Sequence, residues 1–405
     1  MPVTETIERL ASAEGRLAGS DADRETTDFL TGELEQLGRE VEVDELVVRP
    51  DHHFAHAICV AIAIAGCVVS TKSAPVGVIV LLLATASMYL DLTARLYTFR
   101  SLLPRRKTRN LTSPGPKSGA SARLVISAHH DAGRTGLLYS RFGGRLPGPI
   151  GRFAGPLDFI FWTIAFALVL AAARILIGDP GWLTPLQFLT AIVLAVELLL
   201  LVDAGLAAPS PGASSNASGV AAALELVARL DADEPQKLDV HVVLTGAQEG
   251  LMLGMRDWLR KRDSQLRRQL NFFVNLDTLG NGDVRYVTAE GYAAVYEHER
   301  ELIELCERVA DDGEAQPQIW RRGSDGVLPA VKGHPAITIC CLDESGRAPT
   351  SHTADDMAEN VDPDAVERAI DYAERLIRQI DSELSDNPPK PAPKKSRRKK
   401  KQPAL

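Results

Sequence analysis

Residues 122–133 read ARLVISAHHDAG. The apolar run predicts a buried strand over 122–128, which delivers two histidines and an aspartate, His129, His130 and Asp131, at its carboxyl end. In open sheets of alternating strands and helices, ligands sit beyond the carboxyl ends of the strands. The fold therefore turns on whether the rest of the chain repeats this pattern.

It does. EVEVDELVV (40–48) alternates like a strand, and LDVHVVLTG (238–246), NFFVNLD (271–277) and PAITICC (335–341) read as buried strands. Helices are predicted over 3–17, 22–38, 219–230, from the end of the 238–246 strand through Arg260, and over 363–383. Strands alternating with helices imply an α/β fold, a mixed and mostly parallel sheet with helices on both faces.

Further polar clusters follow the strands. GASSNASG (212–219) is a small-residue turn opening a helix. Gln248, Glu249 and Gly250 follow strand 238–246, and Asp277 ends strand 271–277. Ser351, His352 and Thr353, with Asp355 and Asp356, follow strand 335–341. Each is unremarkable alone. Together, imidazoles and carboxylates after consecutive strands bring His129, Glu249, Asp277 and His352 within reach of one another, the donor types that bind zinc.

Four apolar segments interrupt this domain. Residues 54–70, 74–90 and 159–173 hold no Lys, Arg, Asp or Glu, and 183–202 holds only Glu197. With tight links at 71–73 and 178–182 they pair as two hairpins of membrane-spanning length, Arg174 lying near a helix end. Residues 91–156 carry twelve Lys/Arg against Asp91 and Asp131, whereas the hairpin tips hold only Lys72 and Asp179. Basic loops stay cytoplasmic. The reading is thus an integral membrane protein with four transmembrane helices, its termini and soluble domain cytoplasmic. Glu197 and Arg174 fall at different depths and are not expected to pair; whether Glu197 faces a helix interface or the membrane surface is open.

The net charge of −8 hides a basic tail: residues 390–401 carry eight Lys/Arg and no acid. The tail from Asn387 is read as disordered and as a clamp on anionic lipid; nucleic acid is not an expected partner. Five cysteines without pattern argue against a disulfide framework. The amino terminus lacks an apolar run behind a basic start and is not expected to be a signal peptide. The chain divides into the first part of the α/β domain at 1–50, hairpin one at 54–90, the domain continued with the His129 loop at 104–156, hairpin two at 157–203, the domain again at 207–385, and the tail at 386–405.

In their order and context these motifs resemble the di-zinc aminopeptidase family, the zinc-exopeptidase fold shared with glutaminyl cyclases and transferrin-receptor-like domains. The resemblance spans AEGRLAGSDADRETTDFLTGELEQLG (13–38), ARLVISAHHDAG, SPGASSNASGVAAALELVARL, LTGAQEGLMLGMRDWL, NLDTLG, GSDGVLPAVKGHPAITI and SHTADDMAENVD. It implies aminopeptidase-type hydrolysis of a peptide or amphiphilic amide with one or two zinc ions. By motif position, His129 and Asp277 would hold one metal, Glu249 and His352 the other, with Asp131 orienting His129; His130 is a weaker candidate.

Two positions depart from the family pattern. The bridging aspartate should precede Asn216, where this chain has Ser215, and the catalytic base should precede Glu249, where it has Gln248. An amide cannot accept the proton of an attacking water, and a hydroxyl is a poor bridge between dications. Asp131, Asp355 or Asp356 are the acids that folding could recruit. The resemblance therefore implies either a metallopeptidase with a rearranged, impaired site or a silent, membrane-anchored binding or scaffold protein. A third expectation is a different reaction on the same scaffold, acting on an amide at the membrane surface, because hairpin two is inserted between two site loops. Without a metal, Glu249 and Asp277 are expected to be like charges with little to offset them.

Overall fold

The computed structural model describes residues 1–117, 119–140, 155–310 and 313–384. The basic tail, and the part of the segment between the hairpins that holds Arg141, Arg145 and Arg152, lie outside the described residues.

Nine strands form one sheet among the described residues: β1 Glu42–Val48, β2 Arg106–Ser113, β3 Ala122–His129, β4 Leu238–Thr245, β5 Asn271–Leu276, β6 Asp283–Glu290, β7 Tyr296–Glu297, β8 Ala315–Trp320 and β9 Ala336–Leu342. Their order is β1-β2-β4-β3-β5-β9-β6-β7, with β8 on β6. The central four, β4-β3-β5-β9, are parallel, while β1, β2, β6 and β7 add antiparallel pairings. Because β3 and β4 run in register, with His129 opposite Thr245, the loops after them open at one edge of the sheet.

Side chains alternate between the faces, as a pleated strand requires. Leu124, Ile126 and Ala128 join the main core with helices α1 (Val3–Ala11), α2 (Asp21–Gln36), α7 (Ser218–Ala232), α9 (Arg300–Val309) and α10 (Pro363–Glu383). Val125, between them, packs the other way on Met255, Trp258 and Leu259 of helix α8 (Leu253–Arg262). Mostly small residues from Val220 to Ala223 let α7 lie close on the sheet.

The first helix ends at Ala11, not near residue 17. The chain turns at Gly15, φ +79°, which sends Arg16 into the core. Its guanidinium donates to the His130 carbonyl at 2.8 Å, to Asn216 Oδ1 at 2.8 Å and to the Pro211 carbonyl at 2.7 Å. A helical continuation would forfeit this tie between two site loops.

The apolar segments form helices α3 (His52–Ser70), α4 (Ala74–Leu92), α5 (Pro156–Ile177) and α6 (Leu183–Leu206), of 19, 19, 22 and 24 residues and mean hydropathy 2.0, 1.8, 2.3 and 2.3. At 1.5 Å per residue, 19 residues span roughly 28 Å, so all four are long and apolar enough to cross a membrane. Val60, Leu81, Met88, Ile164, Leu194 and Leu201 pack between them, while Leu83, Val169 and Leu199 face outward, 61–70% exposed. Soluble surfaces rarely show such continuous apolar exposure. Glu197 turns into the α5–α6 interface and accepts from the Thr163 hydroxyl at 2.8 Å; Arg174 pairs instead with Asp179 and with Thr184 at the hairpin tip. Where hairpin one re-enters the domain, Arg100 donates to Asp91 at 2.5 Å and to the Gly250 carbonyl at 2.5 Å.

Candidate active site

The sequence-identified residues converge at the carboxyl edge of the parallel strands in two pairs. His129, the last residue of β3, places Nε2 4.0 Å from Asp277 Oδ1 beyond β5. His352 places Nε2 3.4 Å from Glu249 Oε2. His129 Nε2, Asp277 Oδ2 and Glu249 Oε1 are buried without a hydrogen-bond partner. Among the described residues no three His, Cys, Asp or Glu side chains stand close enough to enclose one ion as they lie.

Asp131 builds the frame of the site. Its carboxylate accepts from the backbone N–H of Gln248 at 2.9 Å and of Glu249 at 3.1 Å, while Oδ1 lies 3.4 Å from His129 Nδ1. One side chain thereby fixes the acid loop and the first histidine, leaving His129 Nε2 toward Asp277. Burial depresses the His129 imidazole, but the Asp131 hydrogen bond and the charges of Asp277 and Asp131 outweigh it and raise the group to about 9. His352 is turned by its Nδ1, 3.1 Å from the Arg134 carbonyl, and its ring stacks on Tyr139 at 4.5 Å. His130 is not part of the cleft: it points the other way, to the Arg109 carbonyl and Asp23.

The backbone is strained here. Ala247, Leu251, Met252, Thr278 and His352 have φ between +59° and +65°. Such conformations cost about 1–3 kcal/mol each and gather at functional sites. Thr278 is held in this shape by donating its N–H to the Ser215 carbonyl at 3.2 Å and its hydroxyl to Asp277 Oδ1 at 2.6 Å.

The two departures have structural partners. Ser215 lies in a single π-helical turn, Ala213–Ala217, beside Asp356, which accepts from the Ser214 N–H at 2.6 Å and from Ser215. Burial raises the Asp356 carboxyl. Of the three acids weighed for recruitment, Asp131 is committed to the 248–249 loop, Asp355 is exposed, and Asp356 alone abuts Ser215. Gln248 Nε2 donates to the Gly323 carbonyl at 3.2 Å, a bond that a carboxylate could not make.

Sequence reasoning missed several residues. Arg322, after β8, reaches Nη2 to 3.9 Å from Asp277 Oδ1 and stacks on Trp320 at 4.7 Å. It corrects the expectation that Glu249 and Asp277 lack an offsetting charge. Asp325 is buried against Thr245; burial raises its carboxyl to about 7. His52 and His53, at the start of α3, line a small pocket with Asp131, Glu249 and His352, and His53 Nε2 lies 2.7 Å from the Tyr139 hydroxyl. The only signal for these histidines was polar residues at the head of an apolar helix. Arg322 had none, because its partner is distant in sequence.

A cleft of about 580 Å³ leads to this site, lined by Gln248, Glu249, Tyr292, Arg322 and His352, and by Pro156 and Leu157 of α5. Residues 201–377, which carry the 212–219 turn, the acid loop, Asp277 and the final histidine, match the family model for peptidase family M28. Over this stretch the chain is similar to M28 peptidases. Around this stretch the fold resembles solved zinc exopeptidases. An aminopeptidase of Legionella pneumophila is 13% identical over 95% of this chain and 72% of its own, with a TM-score of 0.53. A Zn-dependent exopeptidase of Parabacteroides distasonis is 14% identical over 94% and 97%, with a TM-score of 0.52. A glutaminyl cyclase of Tannerella forsythia is 16% identical over 93% and 97%, with a TM-score of 0.52. At these identities the likeness is one of fold. No curated protein matches the chain. The match over 201–377 supports a peptidase-like reading, and the geometry of the chain's own residues must carry anything finer.

Proposed function

We propose that this protein is a membrane-anchored, zinc-dependent amide hydrolase of the aminopeptidase type, slowed by Ser215 and Gln248. One observation carries the reading: two histidine–carboxylate pairs stand at the carboxyl edge of the parallel strands, with His129 Nε2, Asp277 Oδ2 and Glu249 Oε1 buried without hydrogen-bond partners. Buried carboxylate oxygens without donors are expensive unless a cation meets them.

The donors fit zinc in kind, and the His352–Glu249 pair fits it in spacing. Tetrahedral bonds of 2.0–2.2 Å put two donor atoms about 3.4 Å apart. The His352–Glu249 pair stands at 3.4 Å and the His129–Asp277 pair at 4.0 Å. Each ion would have two protein donors from these pairs. Zinc supplies Lewis acidity toward an amide carbonyl and a water. Asp131 holds His129 and the 248–249 loop in position, Tyr139 and Arg134 orient His352, and Gln248 positions without accepting a proton.

The four apolar helices are read as two transmembrane hairpins, with tips Lys72 and Asp179 on the far side and the α/β domain cytoplasmic. The cleft wall includes Pro156 and Leu157 at the head of α5 and His52 at the head of α3. A mouth so close to the bilayer suits an amphiphilic amide as well as a soluble peptide. The basic tail is read as a clamp on anionic lipid.

A silent binding protein is the second reading. The Gln248 bond to Gly323, the engagement of Ser215 with Asp356, and the Arg322 charge beside Asp277 favour it. Metal content of the detergent-purified chain, with a His129→Ala/His352→Ala control, separates the two, run beside peptide and amphiphilic-amide turnover. Zinc that disappears in the control, with slow turnover, supports the hydrolase. A chain without zinc and without turnover sinks it and leaves the binding protein.

A further inference from the structure

Arg322 places a permanent positive charge beside the Asp277–His129 pair. Its backbone is fixed at the sheet edge, because Gly291 N–H donates to both the Trp320 and the Arg322 carbonyls, at 3.3 and 3.0 Å. Its guanidinium lies over the Trp320 ring, and Nη2 faces Asp277 Oδ1 at 3.9 Å while the buried Nε has no partner. The side chain is 18% exposed, so water screens the charge little. The next carboxylate it faces is that of Glu249. A guanidinium does not lose its proton in a protein. An ion bound to Asp277 at about 2.1 Å would lie within about 6 Å of Nη2.

We propose that Arg322 is the resident cation of the Asp277–His129 half of the site, standing in for one of the two metals. The chain then holds a single zinc, at Glu249–His352. This rests on the zinc reading above and refines it. It also gives the loss of the bridging carboxylate a consequence: with only one metal, Ser215 leaves no pair of dications unshielded. The Asp277 carboxylate is neutralised by a charge that cannot be chelated away. Gln248 reinforces the arrangement, since its bond to the Gly323 carbonyl anchors the residue after Arg322.

The test is zinc stoichiometry, by elemental analysis, and zinc affinity, by competition with a chromophoric chelator, on the full chain in detergent. The wild type is compared with Arg322→Gln and Arg322→Lys, each also carrying His129→Ala or His352→Ala. The expected result is one zinc in the wild type, lost with His352→Ala and kept with His129→Ala. Arg322→Gln gains a second zinc that depends on His129, bound at least about tenfold more tightly than any second ion in the wild type. Arg322→Lys keeps the charge and stays at one; it also serves as the folded control if the glutamine variant fails to fold. Two zincs in the wild type, or no gain in Arg322→Gln beside a folded Arg322→Lys, overturn the inference and leave the zinc hydrolase standing. No zinc in any variant overturns both.

Discussion

Replacing Gly133 with alanine probes the His352–Glu249 pair without touching a donor atom. A Cβ at this position would lie 2.5 Å from His352 Cε1, 2.6 Å from His352 Nδ1 and 3.0 Å from Glu249 Cδ. Ordinary contact begins at 3.4 Å, so the imidazole must retreat by about 0.9 Å. Both groups are pinned: His352 by the Arg134 carbonyl and the Tyr139 ring, Glu249 by its N–H on Asp131. A zinc ligand tolerates about 0.2 Å. The pair now at 3.4 Å should therefore open beyond what one ion can bridge. The expected outcome is a loss of zinc affinity of at least about tenfold, with overpacking that destabilises the fold by about 1–3 kcal/mol. Chelator competition reads the first and a thermal melt in detergent the second. Gly32→Ala is the control, since nothing lies within 4 Å of its added Cβ inside α2; it should stabilise by about 0.4–1 kcal/mol. Wild-type zinc affinity in a folded Gly133→Ala protein would refute the assignment of an ion to His352 and Glu249.

Three further outcomes follow from the same geometry. Gln248→Glu puts a carboxylate against the Gly323 carbonyl, which turns it toward the cleft, and should raise amide turnover by about 10² or more; unchanged turnover in a zinc-loaded variant would show that the base is not what is missing. In the zinc-free protein Asp325, with a carboxyl at about 7 when folded against an ordinary value of 3.8, binds more protons folded than unfolded between those values. Stability should then fall as pH rises from about 4 to 7, and Asp325→Asn, which still accepts from Thr245, should flatten the fall and melt higher above pH 7; parallel melting profiles would contradict this. Arg100→Ala leaves the buried Asp91 carboxylate only the His56 imidazole at 3.7 Å and should destabilise by about 3–5 kcal/mol, whereas the Asp91→Leu/Arg100→Ala pair should recover much of it in the same melts; no recovery would mean that the Gly250 contact carries the effect.

Much of the fold was legible along the chain because its signals are local. Hydropathy sums over consecutive residues, so 54–70, 74–90, 159–173 and 183–202 marked four helices, although the helices extend further than the apolar runs. The buried strands 122–128, 238–246, 271–277 and 335–341 were readable as short apolar runs ending in polar residues. β2, β6 and β8 were passed over, because their burial comes from sheet neighbours rather than from their own periodicity.

At the site, the sequence by itself determined the donor chemistry and the two departures: His129, Asp131, Glu249, Asp277 and His352 stand after strands, and Ser215 and Gln248 replace carboxylates. The family resemblance already implied how these residues pair; only the tertiary structure decided that Asp356 rather than Asp131 or Asp355 abuts Ser215. It also turned His130 away from the cleft and Glu197 into a helix interface. Above all it brought Arg322 to Asp277. Residue type fixes a side chain's charge and donors, but electrostatic compensation acts over a few ångströms of space. Which charges meet at that range depends on how β5 and β8 lie in the sheet, and no stretch of sequence contains that.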